Sequence, residues 1–286
     1  MPSKIDLHMH STASDGTDSP AQLAEKVKAA GISVFALTDH DTVSGAEELK
    51  KHLPDGVAFI PGIEFSCVMP SGKCHILGLN CDTYHPAFQS ALNKGAELRK
   101  AKLEQRLAFL KERGIQFPDE ELELLRSMPS VGKPHLGNLM VKYGFSASKD
   151  EAIKNVINQC HTGSSRIEAE IAVKAILSSG GIPVWAHPLG GTGEKEVGSE
   201  QFMAMLTELL SYGLKGLECW YSIYPTERCR WLVKIAEEHG LLVSGGSDYH
   251  GTNKTVSLGT LNADGEEVNA VHITLLEAVL LEKPQI

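Results

Sequence analysis

The chain has 286 residues, 42% of them hydrophobic, and carries 27 Lys+Arg against 36 Asp+Glu, a formal charge of -9. That length and apolar content suffice for one large domain with a full core, or for one domain with a sizeable insertion. The acidic balance disfavours a partner gripped along a phosphate backbone, duplex nucleic acid included, while leaving room for a local basic pocket that takes a small phosphate.

In chain order, short β-rich runs alternate with helical patterns. Lys4–His8 reads as a strand; Pro20 to Ala30 as an amphipathic helix with Leu23, Val27 and Ala30 on one face, ended by Gly31. A second strand is expected at Val34–Thr38, a helix from Ser44 to His52, then strands at Val57–Phe65 and Cys74–Leu79. From Pro86 to Arg166 only helical patterns occur: a long charged helix from Phe88 to Gly114, then shorter ones at Asp119–Leu125, Lys133–Tyr143 and Lys149–Asn158. The alternation resumes with a helix at Glu168–Ser178, a strand at Ile182–Ala186, a helix at Gln201–Tyr212, and a strand at Gly216–Trp220. A helix at Thr226–His239, a strand at Leu241–Gly245 and a last helix at Ile273–Glu282 complete the series. Seven apolar strands with intervening helices imply a parallel α/β barrel or a doubly wound sheet. The strand-free stretch implies a barrel of residues 1–82 and 167–286 interrupted by a helical subdomain at 83–166.

The six cysteines form no C-x-x-C pair and sit mostly in apolar runs, so they read as buried thiols in a reducing compartment. No basic-then-apolar leader precedes Lys4, and no apolar run is long enough to span a bilayer. A soluble cytoplasmic protein without a membrane partner is expected; the sequence does not speak to its oligomeric state.

The chemistry is concentrated at strand ends. The first strand runs into His8 and His10, the second into Asp39-His40-Asp41, the third ends near Glu64, the Ile182–Ala186 strand at His187, and the last at Asp248 and His250. In a parallel barrel these positions converge on one mouth. His8 and His10, two apart on an extended strand, face the same way. Neutral imidazoles with carboxylates and no thiolate suit Mn, Fe or Zn. Without a metal, the same residues would be a cluster of buried polar groups lacking partners, each costing about 1–3 kcal/mol. His75 is the exception, lying at the start of its strand rather than the end.

These segments, DLHMHSTASDG at 6–16, TDHD at 38–41, GIEFS at 62–66, HILG at 75–78, AHP at 186–188 and GGSDYHG at 245–251, resemble the polymerase and histidinol phosphatase (PHP) family of metal-dependent phosphoesterases. With the helical insertion, the resemblance spans essentially the whole chain. It implies a distorted seven-stranded (β/α)7 barrel and up to three divalent metals, manganese first, with iron or zinc as alternatives. By that resemblance His8, His10, Glu64 and Asp248 would hold one metal. Asp15, His40 and His250 would hold a second, and Glu64, His75 and His187 a third. It further implies hydrolysis by attack of a metal-activated hydroxide on phosphorus, with Asp15, His40, Glu64, His187, Asp248 and His250 as the catalytic set. Asp6 and Asp41 suit a supporting role, accepting the remaining N–H of a ligand histidine. Ser11, Ser14, Ser66 and Ser247 read as hydrogen-bonding supports rather than nucleophiles.

The insertion is expected to cover the mouth and read the substrate. Lys133-Pro134-His135 resembles a basic-Pro-His segment of small-molecule phosphoesterases in the family, with Lys in place of the usual Arg. Lys133, His135 and Arg166 are therefore the candidates for a second phosphate. Arg99 and Arg106 read as the solvated face of the long helix. The expected substrate is a small phosphorylated metabolite of the nucleoside 3′,5′-bisphosphate or 5′-phosphorylated short-RNA type. A ribose 1,2-cyclic phosphate is the alternative. Histidinol phosphate is disfavoured by the insertion, and a non-catalytic polymerase module by the complete ligand set and the lack of a polymerase domain.

Overall fold

A computed structural model describes residues 4–161 and 163–281. Its strands are β1 (Lys4–Asp6), β2 (Ile32–Leu37), β3 (Ala58–Met69), β4 (Gly72–Leu79), β5 (Ile167–Glu168), β6 (Ile182–Ala186), β7 (Gly216–Tyr221) and β8 (Leu242–Gly246). Its helices are α1 (Pro20–Ala29), α2 (Ser44–Leu49), α3 (Pro86–Glu112), α4 (Asp119–Ser127), α5 (Lys133–Lys142), α6 (Lys149–Asn155), α7 (Ala169–Ser178), α8 (Ser199–Tyr212), α9 (Thr226–Glu238) and α10 (Leu275–Leu281). Glu282, the expected end of the last helix, lies outside the described residues.

The strands follow the order β1-β2-β3-β4-β6-β7-β8 in a nearly closed barrel, with β5 paired to β3 outside that path. Closure comes from the chain just beyond β1, which meets the end of β8: Leu7 N–H donates to Gly245 O at 3.1 Å and Asp248 N–H to His8 O at 2.8 Å. Gly246 is required at this seam, because a Cβ there would lie 2.3 Å from the Cβ of His8. Helices such as α1, α7 and α8 pack an apolar face against the barrel. In α1, Ser19 and Gln22 form a reciprocal cap, Pro20 starts the helix, and Leu23 and Val27 are buried.

The barrel is not all parallel. β4 runs antiparallel to both β3 and β6. β3 and β4 are two arms of one hairpin, longer than the two separate strands expected, and Glu64 sits in the middle of β3 rather than at its end. The direction of β4 resolves the anomaly of His75. The start of an antiparallel strand lies at the same rim as the ends of its parallel neighbours.

Helices α3 to α6 carry their own apolar cluster, built from residues such as Leu103, Leu110, Phe117, Leu136 and Met140. No strand occurs among the described residues between β4 and β5. No helix of the described residues is long and apolar enough to cross a membrane.

Candidate metal centre

The strand ends bring the expected rim residues to one place, with Glu64 at its middle. Glu64 Oε2 lies 3.4 Å from His8 Nε2, 3.2 Å from His10 Nε2 and 2.9 Å from His40 Nδ1. Its other oxygen, Oε1, lies 3.0 Å from His75 Nδ1 and 3.1 Å from His187 Nε2. Around that axis, Asp248 Oδ1 approaches His10 Nε2 at 3.3 Å and His250 Nδ1 at 3.3 Å. Asp15 Oδ1 approaches His250 Nε2 at 3.2 Å and His40 Nε2 at 4.0 Å. Three groups offer donor atoms all within 4.8 Å of one another: His8, His10 and Asp248; His10, Asp15, His40 and His250; and His40, Glu64 and His75. The first lacks the expected Glu64, and the second adds His10 to the expected three. In the third, His40 stands where His187 was expected, although His187 Nε2 is 3.2 Å from His75 Nδ1.

The electrostatics are those of a site built for added positive charge. Burial opposes ionisation of Asp15, Glu64 and Asp248, yet the surrounding imidazoles and, at Asp248, the Lys254 ammonium hold all three well below the usual carboxylate range. Burial likewise opposes protonation of His10 and His187, but their carboxylate neighbours raise them to about 9 and about 10. For His75 and His250, burial prevails and brings them to about 4. Divalent cations would replace the attracted protons. Asp15 Oδ1, His40 Nδ1 and Glu64 Oε2 are buried and make no hydrogen bond, although the last two approach to 2.9 Å. Three orphaned donor atoms facing one space fit metal ions; an ordinary polar core would have paired them.

The PHP domain family matches residues 6–170. The chain is 30% identical over 254 residues to a 5′-3′ exoribonuclease of Haemophilus influenzae, covering 87% of this chain and 91% of that protein. It is 31% identical over 256 residues to a phosphoribosyl 1,2-cyclic phosphate 1,2-diphosphodiesterase of Eggerthella lenta, covering 86% and 94%. The chain belongs to the PHP domain family. A candidate metal-dependent phosphoesterase from Bifidobacterium adolescentis superposes with a TM-score of 0.81 at 25% identity, covering 100% of this chain and 99% of that one. This PHP protein is a metal-dependent phosphoester hydrolase.

Several supports of the PHP rim differ from those expected. Asp6 takes no imidazole N–H. Its carboxylate accepts from Ser247 Oγ at 2.6 Å and from the backbone N–H of Ser247 and Gly259 at 2.9 and 2.8 Å, fixing the residue before Asp248. Asp41 does not face a rim histidine either; it accepts from Ser66 N–H at 2.8 Å and pairs with Arg99. Asp39 accepts from Ser11 N–H, Ser11 Oγ and Ser14 Oγ at 2.8, 2.7 and 2.6 Å, anchoring the loop that carries Asp15. Beyond Asp15, Glu64 and Asp248, the carboxylates that meet rim imidazoles are Glu218, 2.9 Å from His8 Nδ1, and Glu194, 3.4 Å from His187 Nδ1. Asp248 Oδ2 is held by Tyr221 Oη–H at 2.6 Å and by Lys254. None of Glu194, Glu218, Tyr221 or Lys254 carries a motif signal in the sequence.

The rim opens into a cavity of about 490 Å³. Lys133 and Arg166 line it, whereas His135 does not: its Nδ1 accepts from Gly132 N–H at 3.0 Å and closes the start of α5. Arg99 and Arg106 line the cavity as well and are not a solvated face. Arg99 pairs with Asp41 and donates to Ser66 Oγ at 2.8 Å, tying α3 to β3. Arg106 is only 8% exposed. Arg99, Lys102 and Arg106 follow the three-then-four spacing of one helix face. Lys73, Lys102, Arg106, Lys133 and Arg166 share the wall, and none has a carboxylate partner among the described residues. Lys133 donates to Asn158 Oδ1 at 2.6 Å, and Arg166 to the carbonyls of Cys67 and Cys74 at 3.5 and 3.1 Å. Burial, followed by the neighbouring cations, lowers Lys102 to about 8.

Proposed function

We propose that this PHP phosphoesterase hydrolyses a small substrate carrying two phosphates, of the nucleoside 3′,5′-bisphosphate or 5′-phosphorylated short-RNA type. His8, His10, Glu64 and Asp248 would hold one divalent ion. Asp15, His40 and His250 would hold a second, and Glu64, His75 and His187 a third. A His and carboxylate set without thiolates supports manganese, with iron and zinc as the alternatives. Bound there, the ions supply Lewis acidity toward phosphoryl oxygens and lower the pKa of water.

The chain's own residues divide the remaining work. Ser11 and Ser14 spend their hydroxyl protons on Asp39, and Ser247 on Asp6, which supports a role for these three as props and for water as the nucleophile. Tyr221 and Lys254 hold one oxygen of Asp248 and leave the other facing the rim. Helices α3 to α6 act as a helical subdomain, residues 83–166, over the mouth. The observation that carries the two-phosphate reading is the wall of Lys73, Lys102, Arg106, Lys133 and Arg166. Cations crowded without carboxylate partners call for an anionic ligand. A scissile phosphate at the metals leaves them unsatisfied, and a second phosphate would satisfy them.

The likeness to the Eggerthella lenta enzyme, across 94% of its length, supports a second reading in which a ribose 1,2-cyclic phosphate is opened. Turnover by the Mn-loaded protein, compared across a nucleoside 3′,5′-bisphosphate, a short 5′-phosphorylated RNA, a ribose 1,2-cyclic phosphate and histidinol phosphate, separates the two. The highest kcat/KM is expected for one of the first two substrates. A clear preference for the cyclic phosphate would replace the proposal.

A further inference from the structure

We infer that Glu218 is a positioning residue that locks two metal-ligand loops together, fixing which nitrogen His8 presents and where His187 stands. The inference rests on the reading of His8 and His187 as metal ligands.

Glu218 lies on β7, fully buried, and spends both carboxylate oxygens on this task. Oε1 meets His8 Nδ1 at 2.9 Å, and Oε2 accepts the backbone N–H of His187 at 2.6 Å. A carboxylate can only accept, so the ring proton of His8 resides on Nδ1. Its Nε2, 3.4 Å from Glu64 Oε2 and 3.6 Å from Asp248 Oδ1, is then free to donate its lone pair to an ion. The second oxygen acts on a strained residue. His187 has φ of 29°, a region that a side chain bearing a Cβ rarely occupies. A short bond from a buried carboxylate is the kind of contact that holds such a backbone in place. His8 follows β1 and His187 follows β6, and the expected ligand sets assign them to different ions. One side chain thus joins two loops far apart in sequence, each of which would hold a different ion.

The backbone of β7 makes this possible. Its pairing with β8 shifts register between Glu218 and Trp220. On an unbroken strand, residues three apart face opposite sides. With the irregularity, both Glu218 and Tyr221 reach the rim, the first through His8 and the second through Asp248.

The test compares Glu218→Gln with Ser244→Ala, which perturbs the β8 residue paired with Glu218 but touches no proposed ligand. Mn binding is followed by calorimetric titration of the metal-stripped protein, with metal content read by mass spectrometry. The carboxamide has one acceptor where Glu218 has two, so it cannot serve both partners. Binding of at least one ion is expected to weaken about 10–100-fold in Glu218→Gln and to stay unchanged in Ser244→Ala. The loss should be smaller when Glu218→Gln is made on a His8→Ala background. Wild-type affinity and stoichiometry in Glu218→Gln, or an equal loss in Ser244→Ala, would overturn the inference while leaving the ligand reading intact. A wild-type protein that binds no divalent ion would instead overturn both. Should Glu218→Gln fail to fold, nitrogen-15 spectra of the Zn-loaded wild type decide. A proton on His8 Nδ1 is expected, and one on Nε2 would refute the assignment.

Discussion

Arg106 offers a perturbation with two consequences of opposite sign. Its guanidinium is 8% exposed, has no carboxylate partner among the described residues, and sits between Leu103 and Leu110 on the inner face of α3. Burial pulls its pKa below the ordinary arginine value. Arg106→Met keeps an unbranched stem of similar reach in the same groove and removes the charge. Its guanidinium lines the cavity and carries a desolvation cost that only a bound anion would offset, so removing the charge should add stability on the order of 1 kcal/mol. For a chain of this size each kcal/mol moves Tm by about 2–4 °C, so a rise of about that size is expected. Binding should move the other way. A hydrogen bond to a charged group contributes about 1.5–3 kcal/mol, which corresponds to a loss of about 10–150-fold in kcat/KM. The loss should appear with a nucleoside 3′,5′-bisphosphate and be nearly absent with para-nitrophenyl phosphate, which has one phosphate. Thermal melting and steady-state kinetics with both substrates give the answer. A lower Tm together with unchanged bisphosphate kinetics would show that Arg106 serves packing rather than a phosphate.

The ionisation of Lys102 should be visible in the pH profile. Its pKa is about 8 in the free protein, and the ammonium is the form that binds phosphate, so kcat/KM for a bisphosphate should fall as pH rises through about 8. Lys102→Arg keeps the charge and should move that limb to higher pH; an unchanged limb would place the ionisation elsewhere. Asp248→Asn or His40→Ala should abolish turnover while circular dichroism reports a folded chain, and near-normal rates in either would remove that residue from the rim. Lys133→Ala should raise KM chiefly for substrates with a second phosphate, and an equal effect on para-nitrophenyl phosphate would deny it that role.

That these residues gather at one rim was legible, because their side-chain types recur at strand ends. Packing alone gives no reason for histidines and carboxylates to recur at one end of strand after strand, and the structure brings His8, His10, Asp15, His40, Glu64, His75, His187, Asp248 and His250 within reach of one another. Strand direction was not legible. An apolar run such as Cys74–Leu79 reads the same forwards and backwards, so the antiparallel course of β4 showed itself only as a histidine at the wrong end. The supporting carboxylates illustrate a different limit. Asp6 and Asp41 stand close to rim histidines in sequence, whereas the carboxylate that bonds His8 through Nδ1 is Glu218, 210 residues away on β7. Sequence proximity predicts backbone neighbours, but a side chain on a distant strand reaches the imidazole. The register shift that aims Glu218 inward leaves no mark in Gly216–Tyr221 beyond a charged residue in an apolar run.

The basic stripe on α3 was present in the sequence as a disagreement between two signals. Residue type placed Arg99 and Arg106 in solvent, because long charged side chains are seldom buried. Spacing placed them on the buried face, since Arg99, Lys102 and Arg106 share the helical repeat of Leu103 and Leu110. Reading by type alone discarded the periodic signal. A core-facing helix stripe that carries cations costs stability unless something anionic completes it. Such a conflict between period and polarity therefore points to a ligand, and on α3 it points into the same cavity as the candidate metal rim.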